Sequence, residues 1–272
     1  MKIKKQTLKT VAVLFFASVT SLSFANNQVE KVTRELSGAT KIAVTNGIKV
    51  NLTQGYNESV SIMAPEGKSA LVSTEVTNGI LRISYAGEAS ETKDVFVYVT
   101  MKNVDFIQVE DGAQVSAYEE LSTNSLQFIC KNNSKIISVV KAANVIGFVD
   151  VQGEVNLTGV ASNVDIKANE QSKVTADLQS VDFKSTAENQ SEIQLKGKAK
   201  NLELKADGKS TIKASEMDSK TCEVNASQDS HVLVCTKKRA NLTANSSSKI
   251  TISGSPQEKQ VMASEDSDII FN

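Results

Sequence analysis

The chain has 272 residues, with 30 Lys and Arg against 31 Asp and Glu, a single His, three Cys, two Pro and no Trp. A mixed, nearly balanced charge excludes a nucleic-acid surface and a polybasic membrane patch. Three cysteines as widely spaced as Cys130, Cys222 and Cys235 exclude a disulfide framework; they read as small buried hydrophobes, with a Cys222 to Cys235 bridge as the minor alternative.

The first element is a targeting segment. Lys2, Lys4, Lys5 and Lys9 precede the apolar run "VAVLFFASVTSL", and Ser23-Phe24-Ala25 places small residues where a signal peptidase reads. Residues 1–25 are therefore expected to be a signal peptide, cut after Ala25. Without its four lysines the chain carries 26 basic and 31 acidic residues, a net charge of −5. No later run approaches the about 20 apolar residues of a membrane span, and no Cys stands in the cleavage region to accept a lipid. The mature chain is expected to be an exported domain without a transmembrane segment, in the periplasm, at the outer surface or secreted.

Residues 26–104 read as strands: "KIAVTNGIKVNLTQG", "SVSIMAP", "ALVSTEVTNGILRISYAG" and "DVFVYVTM". Both Thr-Asn-Gly-Ile stretches, Thr45 to Ile48 and Thr77 to Ile80, carry an Asn-Gly pair between strand-like runs and predict hairpins, because both turn positions favour positive φ. The segment lies outside the repeat that follows and is expected to cover its open end, where a bare strand edge invites aggregation.

From residue 105 to 272 the chain repeats. Anchoring each unit on a β-branched residue gives Val115, Ile136, Val155, Val174, Ile193, Ile212, Val232, Ile250 and Ile269, spaced by 18 to 21 residues. Two residues before the anchor stand Ser134, Ser172, Ser191, Ser210, Ser230, Ser248 and Ser267; six before it stand Ala168, Ala187, Ala206, Ala226, Ala244 and Ala263. Apolar and polar residues alternate on both sides of a short polar turn, the mark of strands with one buried face. A constant period of this length without a helical pattern predicts a parallel β-helix of about nine 19-residue coils, each burying its apolar face only against its neighbours. Outward residues before the anchors (Lys135, Glu154, Lys173, Glu192) and nine before them (Asp165, Lys184, Glu203) alternate in sign, a ladder suited to holding coils together.

The segments Val44 to Gly55 and Val76 to Ile83, followed by the Ser-x-Ile/Val series to Ile269, resemble the GIN-domain family, the head domain of autotransporter adhesins. The resemblance covers nearly the whole mature chain. It implies an all-β, right-handed parallel β-helix, an extracytoplasmic location and an adhesive role, and it supplies no catalytic residue to carry over. No barrel-forming translocator sequence follows the repeat, so the chain is not expected to export itself.

No constellation names a reaction, and no catalytic, cofactor-binding or metal-binding residue is assigned. The Ser ladder is expected to hold the corners through hydroxyl to backbone bonds. His231, the only histidine, falls on an outward position between Thr211 and Lys249, with no partner for catalysis or metal binding, and reads as a surface residue. The acidic turns at residues 110–112, 206–208 and 264–268 lie on different coils and read as solvated turns. The repeat offers few aromatics for a carbohydrate platform: Phe128 and Phe183 fall on inward columns, Phe148 on an outward one beside Gly147 where the register looks shifted, and Tyr118 and Phe271 complete the set. The Asn-x-Ser/Thr sequons are assigned no role. A non-catalytic, adhesin-like or structural envelope module with an unknown glycan or protein ligand is the leading expectation. A β-helix polysaccharide lyase or hydrolase is the alternative, disfavoured because near-constant spacing leaves no room for cleft-building loops.

Overall fold

The computed structural model describes the backbone of Ser18–Leu22 and residues 29–272 in full. Its strands are β1 (Ser18–Leu22), β2 (Val29–Glu35), β3 (Lys41–Val44), β4 (Lys49–Gln54), β5 (Ser59–Pro65), β6 (Val72–Thr77), β7 (Ile80–Tyr85), β8 (Phe96–Met101) and β9 (Phe106–Val109). The long strands β10 (Gln114–Lys131), β11 (Lys135–Asp150), β12 (Glu154–Ala168), β13 (Lys173–Ala187), β14 (Glu192–Ala206), β15 (Thr211–Ala226) and β16 (His231–Ala244) follow, then β17 (Lys249–Ser253), β18 (Glu258–Ala263) and β19 (Asp268–Phe271). Most of the expected signal peptide, with the cut after Ala25, lies outside the described residues. The part that is described, β1, pairs antiparallel with β2.

The repeat forms a parallel β-solenoid, as its period predicts. Every anchor is the lateral neighbour of the next: Val115, Ile136, Val155, Val174, Ile193, Ile212, Val232, Ile250, Ile269. The first eight are buried, and they form one continuous core with the columns on the other walls. The ladder also continues below the repeat. Val50 of β4 lies beside Val115, and Val97 of β8 lies beside Val50; on the other wall Ile42 joins Ile107 to Leu81. The 26–104 segment thus adds two rungs that share the register of the repeat without sharing its spacing. The chain builds the rung next to the repeat (β3 and β4) before the one beneath it (β7 and β8), so no fixed period reveals them. Eleven rungs at about 4.8 Å give a rod roughly 48 Å long.

Below the lowest rung the strand direction reverses. β6 pairs antiparallel with β7 and β5 with β8, and β2 pairs antiparallel with β5. These strands close that end over Val60, Ile62, Ala64 and Val72, all buried. At the other end β18 and β19 form the last described rung. There Val261 and Phe271 are exposed, and Lys259, which follows Ala240 in an inward column, lies 4.4 Å over the Phe271 ring.

The two Asn-Gly turns behave differently. Asn78-Gly79 joins β6 to β7 as the predicted hairpin. Asn46-Gly47 instead joins β3 to β4, which pair with other rungs and not with each other, so this prediction is corrected to a solenoid corner. The same left-handed pair recurs at the corner before each of β10 to β17: Asp111-Gly112, Asn132-Asn133, Val151-Gln152, Glu170-Gln171, Asn189-Gln190, Gly208-Lys209, Gln228-Asp229 and Ser246-Ser247, with φ from 45° to 73° including Asn46-Gly47. A hairpin turn and this corner share dihedrals, and only the pairing of the flanking strands separates them. At eight of these nine corners, from Asn46-Gly47 to Gln228-Asp229, the second N–H donates to the first carbonyl of the corner above, at 2.8 to 3.1 Å.

The register holds at Phe148, contrary to the expected shift: Ile129, Phe148 and Lys167 pair in sequence. Gly147 sits in an inward column because the Phe128 ring fills the space its side chain would take. A Cβ there would lie 1.9 Å from Phe128 Cζ.

Two substitutions test these points by thermal unfolding. Gly147→Ala is expected to destabilise by about 1–3 kcal/mol through overpacking, and Phe128→Leu in the same chain is expected to restore part of the loss. Val151 is a β-branched residue at φ 45°, where a left-handed conformation costs about 1–2 kcal/mol. Val151→Asn is therefore expected to raise the midpoint.

Candidate binding surfaces

Each sequence-predicted feature has a definite place on this frame. The corner serines are buried, not displayed. Ser172, Ser210 and Ser248 donate their hydroxyls to the carbonyls of Asn169, Asp207 and Asn245 three residues back. Their column also accepts across rungs: Ser172 N–H donates to Ser191 Oγ at 3.3 Å, Ser191 N–H to Ser210 Oγ at 3.2 Å, and Ser210 N–H to Ser230 Oγ at 3.2 Å. The series is interrupted at Gly153, which has no hydroxyl, and the Ser134 hydroxyl is buried without a partner, since Ala113 on the rung below donates its N–H to the Glu110 carbonyl instead. The ladder closes corners and offers no ligand face.

His231 lies between Thr211 and Lys249 as expected but is half-buried, which corrects the reading of a plain surface residue. Burial, with the Lys249 charge beside it, lowers its pKa and so disfavours the protonated ring. Cys130, Cys222 and Cys235 are free thiols, and burial pushes Cys130 and Cys222 up to about 12, which disfavours the thiolate in both. The acidic turns bond to neighbouring rungs: Asp111 accepts from Asn132 at 2.8 Å and Asp207 from Ser227 at 2.6 Å. Among the described residues no group of three His, Cys, Asp or Glu side chains is placed to hold a metal ion.

The charge ladder holds rungs together through partly exposed ion pairs such as Lys135–Glu154 at 2.8 Å and Lys184–Glu203 at 2.9 Å. Alternation is incomplete: Glu192 pairs with Lys213, and Glu223 stands directly beside Glu203. The hydrogen bond from Lys135 holds the Glu154 carboxyl below its usual range, against some desolvation.

Two surface features remain. The first is a groove of about 640 Å³ along the rod, reaching from Ser125 to Asn241. One wall is a polar ladder in which Asn163 donates to Asn144 at 2.9 Å, Asn201 to Asp182 at 2.6 Å and Thr221 to Asn201 at 2.9 Å. The other wall carries Ile146, Asp165, Lys184, Glu203 and Glu223, and the buried column of Val145, Val164 and Phe183 runs beneath. Its polar groups largely satisfy one another.

The second is aromatic. Phe128 and Phe183 are buried as predicted, and Tyr118 is exposed. Tyr56, Phe96 and Tyr98 are also exposed, and all three lie outside the repeat. The alternation in "DVFVYVTM" carries the signal that would have found the last two: Val95, Val97 and Val99 are buried, so Phe96 and Tyr98 must face out.

The Ser ladder gives a paired test in thermal unfolding. Ser191→Ala strands the buried Ser172 N–H and is expected to cost about 1–3 kcal/mol. Ser134→Ala removes an unpartnered hydroxyl and is expected to be neutral or stabilising.

Comparison with known proteins adds three solved structures of the same fold. A protein of Parabacteroides merdae described as a putative adhesin shares 12% identity and a TM-score of 0.64, over 90% of this chain and 96% of its own. Two proteins of Parabacteroides distasonis, one described as a putative lipid binding protein and one as a putative adhesin, give 14% and 15% identity and TM-scores of 0.63 and 0.61. Each covers 91% of this chain and 98% of its own. No curated protein matches. The family model described as "Putative auto-transporter adhesin, head GIN domain" matches residues 39–180 and 161–256, and the chain belongs to that family.

Proposed function

We propose that this chain is an exported, non-catalytic β-solenoid that acts as an adhesin-like module at the cell envelope, binding a surface, matrix or envelope ligand along an extended face. The observation that carries the reading is the form of the surface. A rigid stack of rungs offers a long groove and a flat outer sheet, while its coil spacing stays within 18 to 21 residues and leaves no loops to build a cleft. Family membership supports the adhesive role, and the basic, apolar and small-residue order of residues 1–25 supports export. Among the described residues no helix is long and apolar enough to cross a membrane.

Protease treatment of intact cells tests the surface reading. The chain is expected to be degraded while a cytoplasmic control survives, and cells lacking it are expected to attach less to matrix. Full protection with unchanged attachment would overturn the reading, and release of products from acidic polysaccharides would favour the enzymatic alternative.

A further inference from the structure

The outward face of the cap sheet is unlike the rest of the rod. In β8, Val97, Val99 and Met101 face the core, so Phe96, Tyr98 and Thr100 face solvent along one strand. Register places their neighbours. Phe96 lies between Lys49 of β4 and Met63 of β5, Tyr98 between Asn51 and Ser61, and Thr100 between Thr53 and Ser59. Lys31 of β2 lies beside Met63 on the far side. Lys49 Nζ stands 5.8 Å from the Phe96 ring centre, and past the end of the strand Lys102 Nζ stands 6.0 Å from that of Tyr56. From Phe96 to Lys102 the track is about 20 Å long.

Phe96 and Tyr98 are 37% and 43% exposed and Tyr56 is 89% exposed, in a chain where aromatics make up only 5% of residues. These outward rings contribute little to the core, and a contiguous exposed apolar patch rimmed by polar groups marks a binding face. Asn51, Ser61, Thr53 and Thr100 put hydrogen-bonding groups directly beside the rings. That alternation suits a sugar chain, whose rings have apolar faces and hydroxyl edges, better than a membrane, which needs a broad apolar surface. Lys31 and Lys49 flank the Phe96 end, whereas the carboxylates of Glu35 and Glu58 stand toward the other end, beside Ser59 and the Lys102 amide. A negative group is therefore accommodated at the Phe96 end.

We propose that this strip binds an extended anionic glycan, with sugar rings stacked on Phe96 and Tyr98 and a carboxylate or sulfate held between Lys31 and Lys49. The proposal rests on the surface-binding reading and names its ligand class. The sheet beneath is fixed by the core on its inner side, so the rings are held ready rather than ordered on binding.

Titration of the purified mature chain with hyaluronan and chondroitin sulfate oligosaccharides tests it. Binding to at least one is expected, weakening as salt rises. Phe96→Ala with Tyr98→Ala, and separately Lys31→Gln with Lys49→Gln, are each expected to weaken it at least about tenfold with little change in melting temperature, since these side chains face solvent. Tyr98→Phe is expected to retain binding, and Asn163→Ala in the groove to leave it unchanged. Undiminished binding by the Phe96/Tyr98 variant, binding to neutral dextran alone, or binding only to phosphatidylglycerol vesicles would overturn the proposal. If intact cells or matrix capture that variant as well as the unaltered chain, this face is rejected while the surface-binding reading stands. If they capture neither, both fall.

Discussion

The rod depends on one backbone device, the two-residue left-handed corner whose N–H reaches the carbonyl of the corner above. Two successive residues at positive φ turn the chain sharply enough for inward side chains on both sides to meet, and the bond across rungs fixes the spacing at which they do so. Once the corner is set, the Val and Ile anchors on one wall and the Ala column on the other fall into register. A slip of one residue would turn every inward side chain to solvent. The buried serines belong to the same device, since they satisfy the polar groups that the corner would otherwise strand in the core.

This regularity governs where recognition is possible. Along the repeat, each outward residue stands about one strand spacing from its counterparts, and cross-rung partners consume most of its polar capacity: lysine meets glutamate, and asparagine meets aspartate. The groove is accordingly extended but largely self-satisfied. The cap sheet escapes that economy because its strands are few, partly antiparallel and not copies of one another. There the outward rows carry exposed aromatics, Phe96 beside Lys49 and Met63 and Tyr98 beside Asn51 and Ser61.

The lower end of the rod also shows how register and period separate. Repetition of spacing is one way to place a strand on a ladder, and a strand arriving from elsewhere in the chain is another. β4 and β8 take the latter route, with Val50 and Val97 continuing the anchor column across chain segments of unrelated length. Reversing strand direction below them ends the parallel stack, and the far end instead sets Lys259 and Phe271 over the core. A charge turned inward on the last described rung opposes pairing with another strand.

The sequence by itself determined the solenoid, because anchors 18 to 21 residues apart with alternating neighbours have one economical packing, and it determined that the serines serve the corners. The outward position of Phe96 and Tyr98 was equally legible in the alternation with Val95, Val97 and Val99. Only the tertiary structure decided that Asn46-Gly47 is a corner and Asn78-Gly79 a hairpin, since both use the same dihedrals and differ in which strands their flanks meet. It alone placed two out-of-order rungs beneath the repeat, explained Gly147 by the ring of Phe128 one rung below, and half-buried His231. Each of these depends on contacts between residues far apart in the chain, which local pattern and period do not encode.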